Sequence, residues 1–165
     1  LCGIEQAYIT TVHSYTTDQS LHDQPHKDLR RARGASQSIV PTTTGAAKAL
    51  TKIFPEFEGK IGGSGIRVPV PDGSLTDITC YVKREVTIEE INARFKQVAE
   101  NELKGILAYT EDPIVSVDII GNQNSCLFDA QLTSVIDKMV KVVGWYDNEI
   151  GYSSRIIDLI GLIRK

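Results

Sequence analysis

His13 closes the run TTVHSYTTD, at the end of a stretch whose apolar residues alternate. A neutral imidazole takes up a proton near neutral pH, which makes it the usual partner of a serine or cysteine nucleophile. The same residue also fits a strand-end histidine bonded to backbone. Behind it comes KDLRRAR, four cations in seven residues, and then PTTTG leading into AAKALTKIF. Hydroxyls and a glycine at a helix N-terminus offer free N–H groups to an anion; capping by Thr44 alone is the other reading of that segment. Arg67 stands in the apolar run GIRVPV, where a guanidinium needs a carboxylate, a carbonyl or a bound anion. Arg31, Thr44 with Gly45, and Arg67 are thus three anion-compatible features accompanying one potential base, a pattern suited to a phosphorylated small molecule.

The elements that position these residues follow from periodicity. Residues 5–13 alternate as a strand, with Ala7, Ile9, Thr11 and His13 on one face. Residues 14–38 are a long polar segment without period, a length usually tied to function. A short helix is expected in AAKALTKIF, strands at 64–70 and 75–83, and a turn at Pro71-Asp72-Gly73 between them. Thr87 and Glu90 form a capping box for a helix over 88–103 that Gly105 stops. Further strands are expected at 114–119, 124–129 and 139–146. A last helix runs from 149 to 163, with Asn148 as N-cap and Ile156, Leu159, Ile160 and Ile163 facing inward. Connections this short favour an α+β domain: a largely antiparallel or mixed sheet with helices on one face.

The 165 residues suit one domain, 1–165, with a substantial core, and a net charge of −3 exerts no global pull toward nucleic acid or an anionic membrane surface. No nucleic-acid or membrane partner is expected. Gly62-Gly63-Ser64-Gly65 precedes a strand, the wrong context for a dinucleotide loop. Cys2, Cys80 and Cys126 lack metal or disulfide spacing, so no metal site is expected and a reducing compartment, the cytoplasm, is.

The phrases TTVHSYTTDQ, PHKDLRRARGASQSIVPTTTGAAKA, RVPVP, LKGILAYTEDP and WYDNEIGYSSRIIDL resemble the catalytic domain of glyceraldehyde-3-phosphate dehydrogenases, from about residue 3 to 163. The resemblance implies an NAD-dependent, phosphorylating oxidation of an aldehyde in glycolysis, with glyceraldehyde 3-phosphate and inorganic phosphate as substrates and a homotetramer as the assembly. His13 matches the base that activates the catalytic thiol. Thr16 and Asp18, with Arg67, match the site of the substrate phosphate; Thr44, Gly45 and Arg31 match the site of inorganic phosphate. Asn148 resembles the residue that holds the nicotinamide carboxamide, with Tyr152 close by. Segment 15–37 resembles a loop that reaches a neighbouring subunit's cofactor, and Pro25 within it is similar to NAD-preferring members.

The family's nucleophilic cysteine belongs to an S-C-T-T-N-C motif ahead of the histidine, and that motif is not in these residues. Cys2 is no substitute. The expectation is a catalytic domain without its nucleotide-binding half, inactive by itself and binding NAD weakly, whose helix 149–163 docks on that half. The alternatives are an erythrose-4-phosphate dehydrogenase, against which the intact TTTG tells, or a non-catalytic oligomerisation module of the same fold.

Overall fold

The strand that carries His13 runs through the interior of a mixed sheet. The computed structural model describes residues 1–164, with the side chains of all but 46–48. In chain order the strands are β1 (Ile4–Ser14), β2 (Val40–Thr42), β3 (Ile61–Val68), β4 (Ser74–Val82), β5 (Leu107–Thr110), β6 (Cys126–Ile136) and β7 (Met139–Tyr146). They form one sheet in the order β2-β3-β1-β4-β7-β6-β5. Strands β1 and β3 pair in parallel, as do β5 and β6; the other neighbours are antiparallel. The helices are α1 (Ala46–Ile53), α2 (Ile88–Glu100) and α3 (Ile150–Ile163). The mixed α+β sheet expected from the sequence is the one the chain forms.

Register assigns the faces, because residues paired across strands point the same way. Ala7 lies opposite Cys80 and Ile9 opposite Ile78 on β4, which pair in turn with Val140 and Val142 on β7. These line the face on which α2 packs. Its Ile91 and Ala99 are buried against Cys80, Val82, Phe128, Ala130 and Val140. Phe95 stacks on Phe128 with centroids 3.9 Å apart. The capping box forms as expected: Glu90 N–H donates to Thr87 Oγ1 (3.2 Å) and Thr87 N–H to Glu90 Oε2 (2.9 Å).

Several boundaries differ from the sequence expectation. Helix α2 ends at Glu100, because the Leu103 N–H turns back to the Val98 carbonyl (2.9 Å) and Gly105 adopts φ 81° ahead of β5, a strand the pattern did not reveal. Residues 114–119, expected as a strand from their β-branched run, instead hold a 3-10 helix at Ser116–Ile119. There the Asp118 carboxylate reaches back to the Val115 N–H (2.8 Å), a local bond that competes with strand pairing. Gly73, at φ 84°, lies so close to the Ser116 carbonyl that a side chain would collide with it.

The N-terminus of α3 is also different. The N-cap is Glu149, not Asn148, and it makes no side-chain cap. The buried Asp147 carboxylate does that work, accepting from Glu149 N–H and Ile150 N–H (both 2.8 Å) and, through its other oxygen, from Gly121 N–H (2.8 Å). Nor do Ile156, Leu159, Ile160 and Ile163 face inward. They are exposed, as are Ile157 and Leu162. Arg155 ties the helix down instead, donating to the Gly105 carbonyl (2.9 Å) and to Ser125 Oγ (3.3 Å). Among the described residues, no helix is long and apolar enough to cross a membrane.

Candidate active site

His13 sits at the C-terminal end of β1, half-buried, with its register partner Arg67 on β3 to one side and Tyr146 of β7 on the other. The Tyr146 ring meets the imidazole edge-on at 6.0 Å. His13 Nδ1 lies 2.7 Å from the Ser14 carbonyl, and Arg67 Nη1 lies 2.9 Å from the same oxygen and 2.8 Å from Nδ1. Nδ1 cannot both donate to Ser14 and accept from Arg67. A bare Nδ1 would set its lone pair against the carbonyl oxygen at 2.7 Å, so Nδ1 carries the hydrogen and both donors converge on Ser14 O. Nε2 is then the unprotonated nitrogen, the one able to act as a base.

Electrostatics hold the ring in that state. Burial pulls the His13 pKa below the usual 6.5, the Ser14 carbonyl pushes it back up, and the Arg67 charge lowers it again. The net direction is down, which favours the neutral imidazole. The Arg67 guanidinium is itself lowered by burial and by the nearby charge of Arg31. The apolar strand around Arg67 thus signalled a real need for a partner, and that partner is the Ser14 carbonyl.

The cation and hydroxyl cluster lies on the β2–β3 side. Arg31 donates from Nε to Thr42 Oγ1 (2.9 Å) and from Nη1 to the Asp18 carboxylate. Val40 pairs with Arg67 and Thr42 with Gly65, so the chain enters β2 beside Arg67 and the threonine-rich turn leaves the sheet beside Gly65. Thr44 is half-buried and Gly45 exposed. Gly45 is the N-cap of α1. Thr16 is half-buried, one turn beyond His13, with its carbonyl accepting from Gln19 N–H (2.8 Å).

On the other side, His13, Tyr146, Asp147, Asn148, Gly151, Tyr152 and Arg155 line a hollow of about 370 Å³. Asn148 Oδ1 accepts from Ser14 Oγ (2.9 Å) and Ser74 Oγ (3.1 Å). Tyr152 is largely exposed at the rim. Arg67 and the threonine-rich turn do not line this hollow; His13 lines it and also lies against Arg67. Pro25 is exposed, in a loop held by its own contacts: Gly34 N–H and Arg33 Nε both reach the Asp23 carboxylate (2.8 and 2.9 Å).

None of the three cysteines serves this site. Among the described residues, no cysteine lines the hollow. Roughly 30 Å of extended strand separates Ile4, two residues beyond Cys2, from His13. Burial raises the thiol pKa of Cys80, and that of Cys126 to about 11, so neither readily forms a thiolate. Gly62-Gly63-Ser64-Gly65 is embedded in β3 and cannot cradle a pyrophosphate.

The sequence pattern missed Ser14, Ser74, Tyr146 and Asp147. Only Asp147 carried a signal, as an Asp three residues before the start of α3. The two serines are recognisable only once β1, β4 and the start of α3 are brought together.

The chain is an α+β domain whose mixed sheet sets an imidazole beside an arginine at one end. Residues 1–148 match the family described as Glyceraldehyde 3-phosphate dehydrogenase, C-terminal domain. The chain is 57% identical over 158 residues to Glyceraldehyde-3-phosphate dehydrogenase 2 of Streptomyces avermitilis, covering 95% of this chain and 47% of the relative. It is 55% identical over 163 residues to the glyceraldehyde-3-phosphate dehydrogenase of Mycobacterium avium, and 54% identical over 163 residues to that of Mycobacterium tuberculosis, covering 99% of this chain and 48% of each relative. The chain belongs to the glyceraldehyde 3-phosphate dehydrogenase C-terminal domain family. It spans about half the length of the curated relatives it matches.

Proposed function

We propose that this chain is the catalytic half of an NAD-dependent, phosphorylating glyceraldehyde-3-phosphate dehydrogenase, working with a nucleotide-binding half that supplies the cysteine nucleophile. The observation that carries the reading is the neutral His13 fixed between a half-buried arginine and a hollow edged by Asn148.

In this reading His13 Nε2 takes the proton of the cysteine thiol as sulfur attacks the aldehyde carbonyl, and returns a proton as the acyl product leaves. Its Nδ1–H keeps the ring aimed by holding the Ser14 carbonyl. Arg67 and Thr16 bind the phosphate already on the substrate, while Asp18, itself an anion, acts by holding Arg31. Arg31, Thr44 and Gly45 bind the inorganic phosphate that cleaves the thioester. Two anion positions on the β2–β3 side match a reaction with two phosphates, and holding both reactants there supplies much of the rate. In the structure Asp18 neutralises Arg31, so phosphate entering that position has to compete with the carboxylate.

NAD, when bound, accepts hydride. The fit to this chain is partial. Asn148 presents its amide nitrogen toward a hollow large enough for a nicotinamide ring, and Tyr152 offers a flat neighbour; nothing among the described residues cradles the pyrophosphate. Weak NAD binding by this chain alone follows. Loop 15–39 is internally braced and carries Pro25 outward, which suits a reach toward a neighbouring subunit's cofactor in a homotetramer.

The test is NADH formation by the chain joined to a nucleotide-binding half, with glyceraldehyde 3-phosphate, NAD and phosphate. Turnover that requires all three, with Arg67→Met raising the KM for the aldehyde more than tenfold and Thr44→Val raising mainly the KM for phosphate, is expected. Equal turnover without phosphate would overturn the reading.

A further inference from the structure

Asn148 makes contacts that fix not only its position but which way round its amide sits. Ser14 and Ser74 are essentially inaccessible, 0% and 1% exposed, and both hydroxyls converge on Asn148 Oδ1 at 2.9 and 3.1 Å. Ser74 Oγ already accepts the Ser14 backbone N–H at 3.1 Å, so its own hydrogen is the one it has to give. On the far side of the amide, Glu149 Oε1 lies 3.4 Å from Nδ2. A flipped amide would set its oxygen against that carboxylate and leave two buried hydroxyls without an acceptor. Both ends therefore select the same orientation: oxygen toward the serines, NH2 away from them. Ser74 stands opposite Tyr146 in the β4–β7 register, and the Tyr146 ring packs edge-on against His13.

We propose that Ser14 and Ser74 are positioning residues that lock the Asn148 amide with its NH2 presented to the hollow beside His13, so that the site selects a ligand carrying a carbonyl acceptor at that point. This rests on the proposed function, in which that ligand is the carboxamide of NAD. The serines touch no reactant. Their effect passes through one amide.

The experiment is a double-mutant cycle in the chain joined to its nucleotide-binding half, with NAD affinity read by calorimetry and KM values by NADH formation. Ser14→Ala and Ser74→Ala are each expected to weaken NAD binding about three- to tenfold, the loss of one hydrogen bond, and to leave the KM for phosphate unchanged. In an Asn148→Ala background the same substitutions should change NAD affinity less than twofold. Asn148→Asp, which still accepts both hydroxyls but has no NH2, should lose as much as Asn148→Ala. Serine variants that bind NAD like the parent, or whose losses persist without the Asn148 side chain, would overturn the proposal while leaving the proposed function standing. An Asn148→Ala variant with unchanged NAD affinity would overturn the proposal and the assignment of Asn148 beneath it.

Discussion

Two ends of one sheet face do opposite work in this domain. At the α2 end, Val82, Phe128, Val140, Cys80 and Ile91 are almost entirely shielded, and Phe95 and Tyr109 both stack with Phe128. At the other end the same face carries His13, Arg67 and Tyr146, all half-buried and held by hydrogen bonds and ring contacts. The neighbouring α3 leaves its isoleucines and leucines exposed and is fastened by Asp147 and Arg155. Apolar packing supplies stability where no chemistry is needed; directional polar contacts supply geometry where it is. A difference of this kind predicts that core truncation unfolds the domain, whereas substitution at the polar end disables it and leaves it folded.

The largest effect should come from Phe128→Ala. Removing a fully buried ring that stacks on two others should cost about 3–5 kcal/mol, read as a fall in the urea midpoint. A loss below about 1 kcal/mol would mean that the α2 end is not the stabilising half.

Asp147→Ala comes next. It strips acceptors from the Glu149, Ile150 and Gly121 N–H groups and should cost about 2 kcal/mol, with hydrogen exchange rising first in α3. Burial works to raise this carboxyl's pKa, but the Ile150, Gly121 and Glu149 donors together outweigh it and hold it below 3.8. Its contribution is therefore present above the ordinary carboxylate pKa and lost as pH falls through the lowered folded value. Uniform loosening of the whole sheet in this variant, rather than of α3, would blur the distinction between the two ends.

The smallest effect is a titration. The His13 folded pKa is lowered, so the neutral ring stabilises the fold above pH 6.5 and that stability is lost as pH falls through the folded value. NMR of the imidazole should place its midpoint below 6.5. Arg67→Met should move it up, because the change removes a neighbouring cation and lets water closer to the ring. A midpoint unmoved or shifted down would separate His13 from Arg67 electrostatically.

The contrast between the ends also accounts for what was legible in the sequence. The α2 end was readable because apolar period and a capping box are local signals: Thr87, Glu90, Ile91 and Phe95 announce themselves. His13, Arg31 and Arg67 were readable because their residue types are costly or unusual where they occur. The roles of Ser14 and Ser74 were not, since sixty residues separate them and only the β1–β4 and β4–β7 pairings bring their hydroxyls to Asn148. The 116–119 helix was misread because one Asp118 side-chain bond outweighed a β-branched run, and α3 because an exposed apolar helix has the same pattern as a buried one.

The most direct test of the central claim is His13→Asn in the chain joined to a nucleotide-binding half, with kcat and NAD affinity measured together. Loss of a general base predicts a kcat lower by about 10²–10⁴, with NAD affinity and thermal midpoint close to those of the parent. A kcat within a few-fold of the parent would contradict the account, because the neutral imidazole between Arg67 and Asn148 would then not be the base.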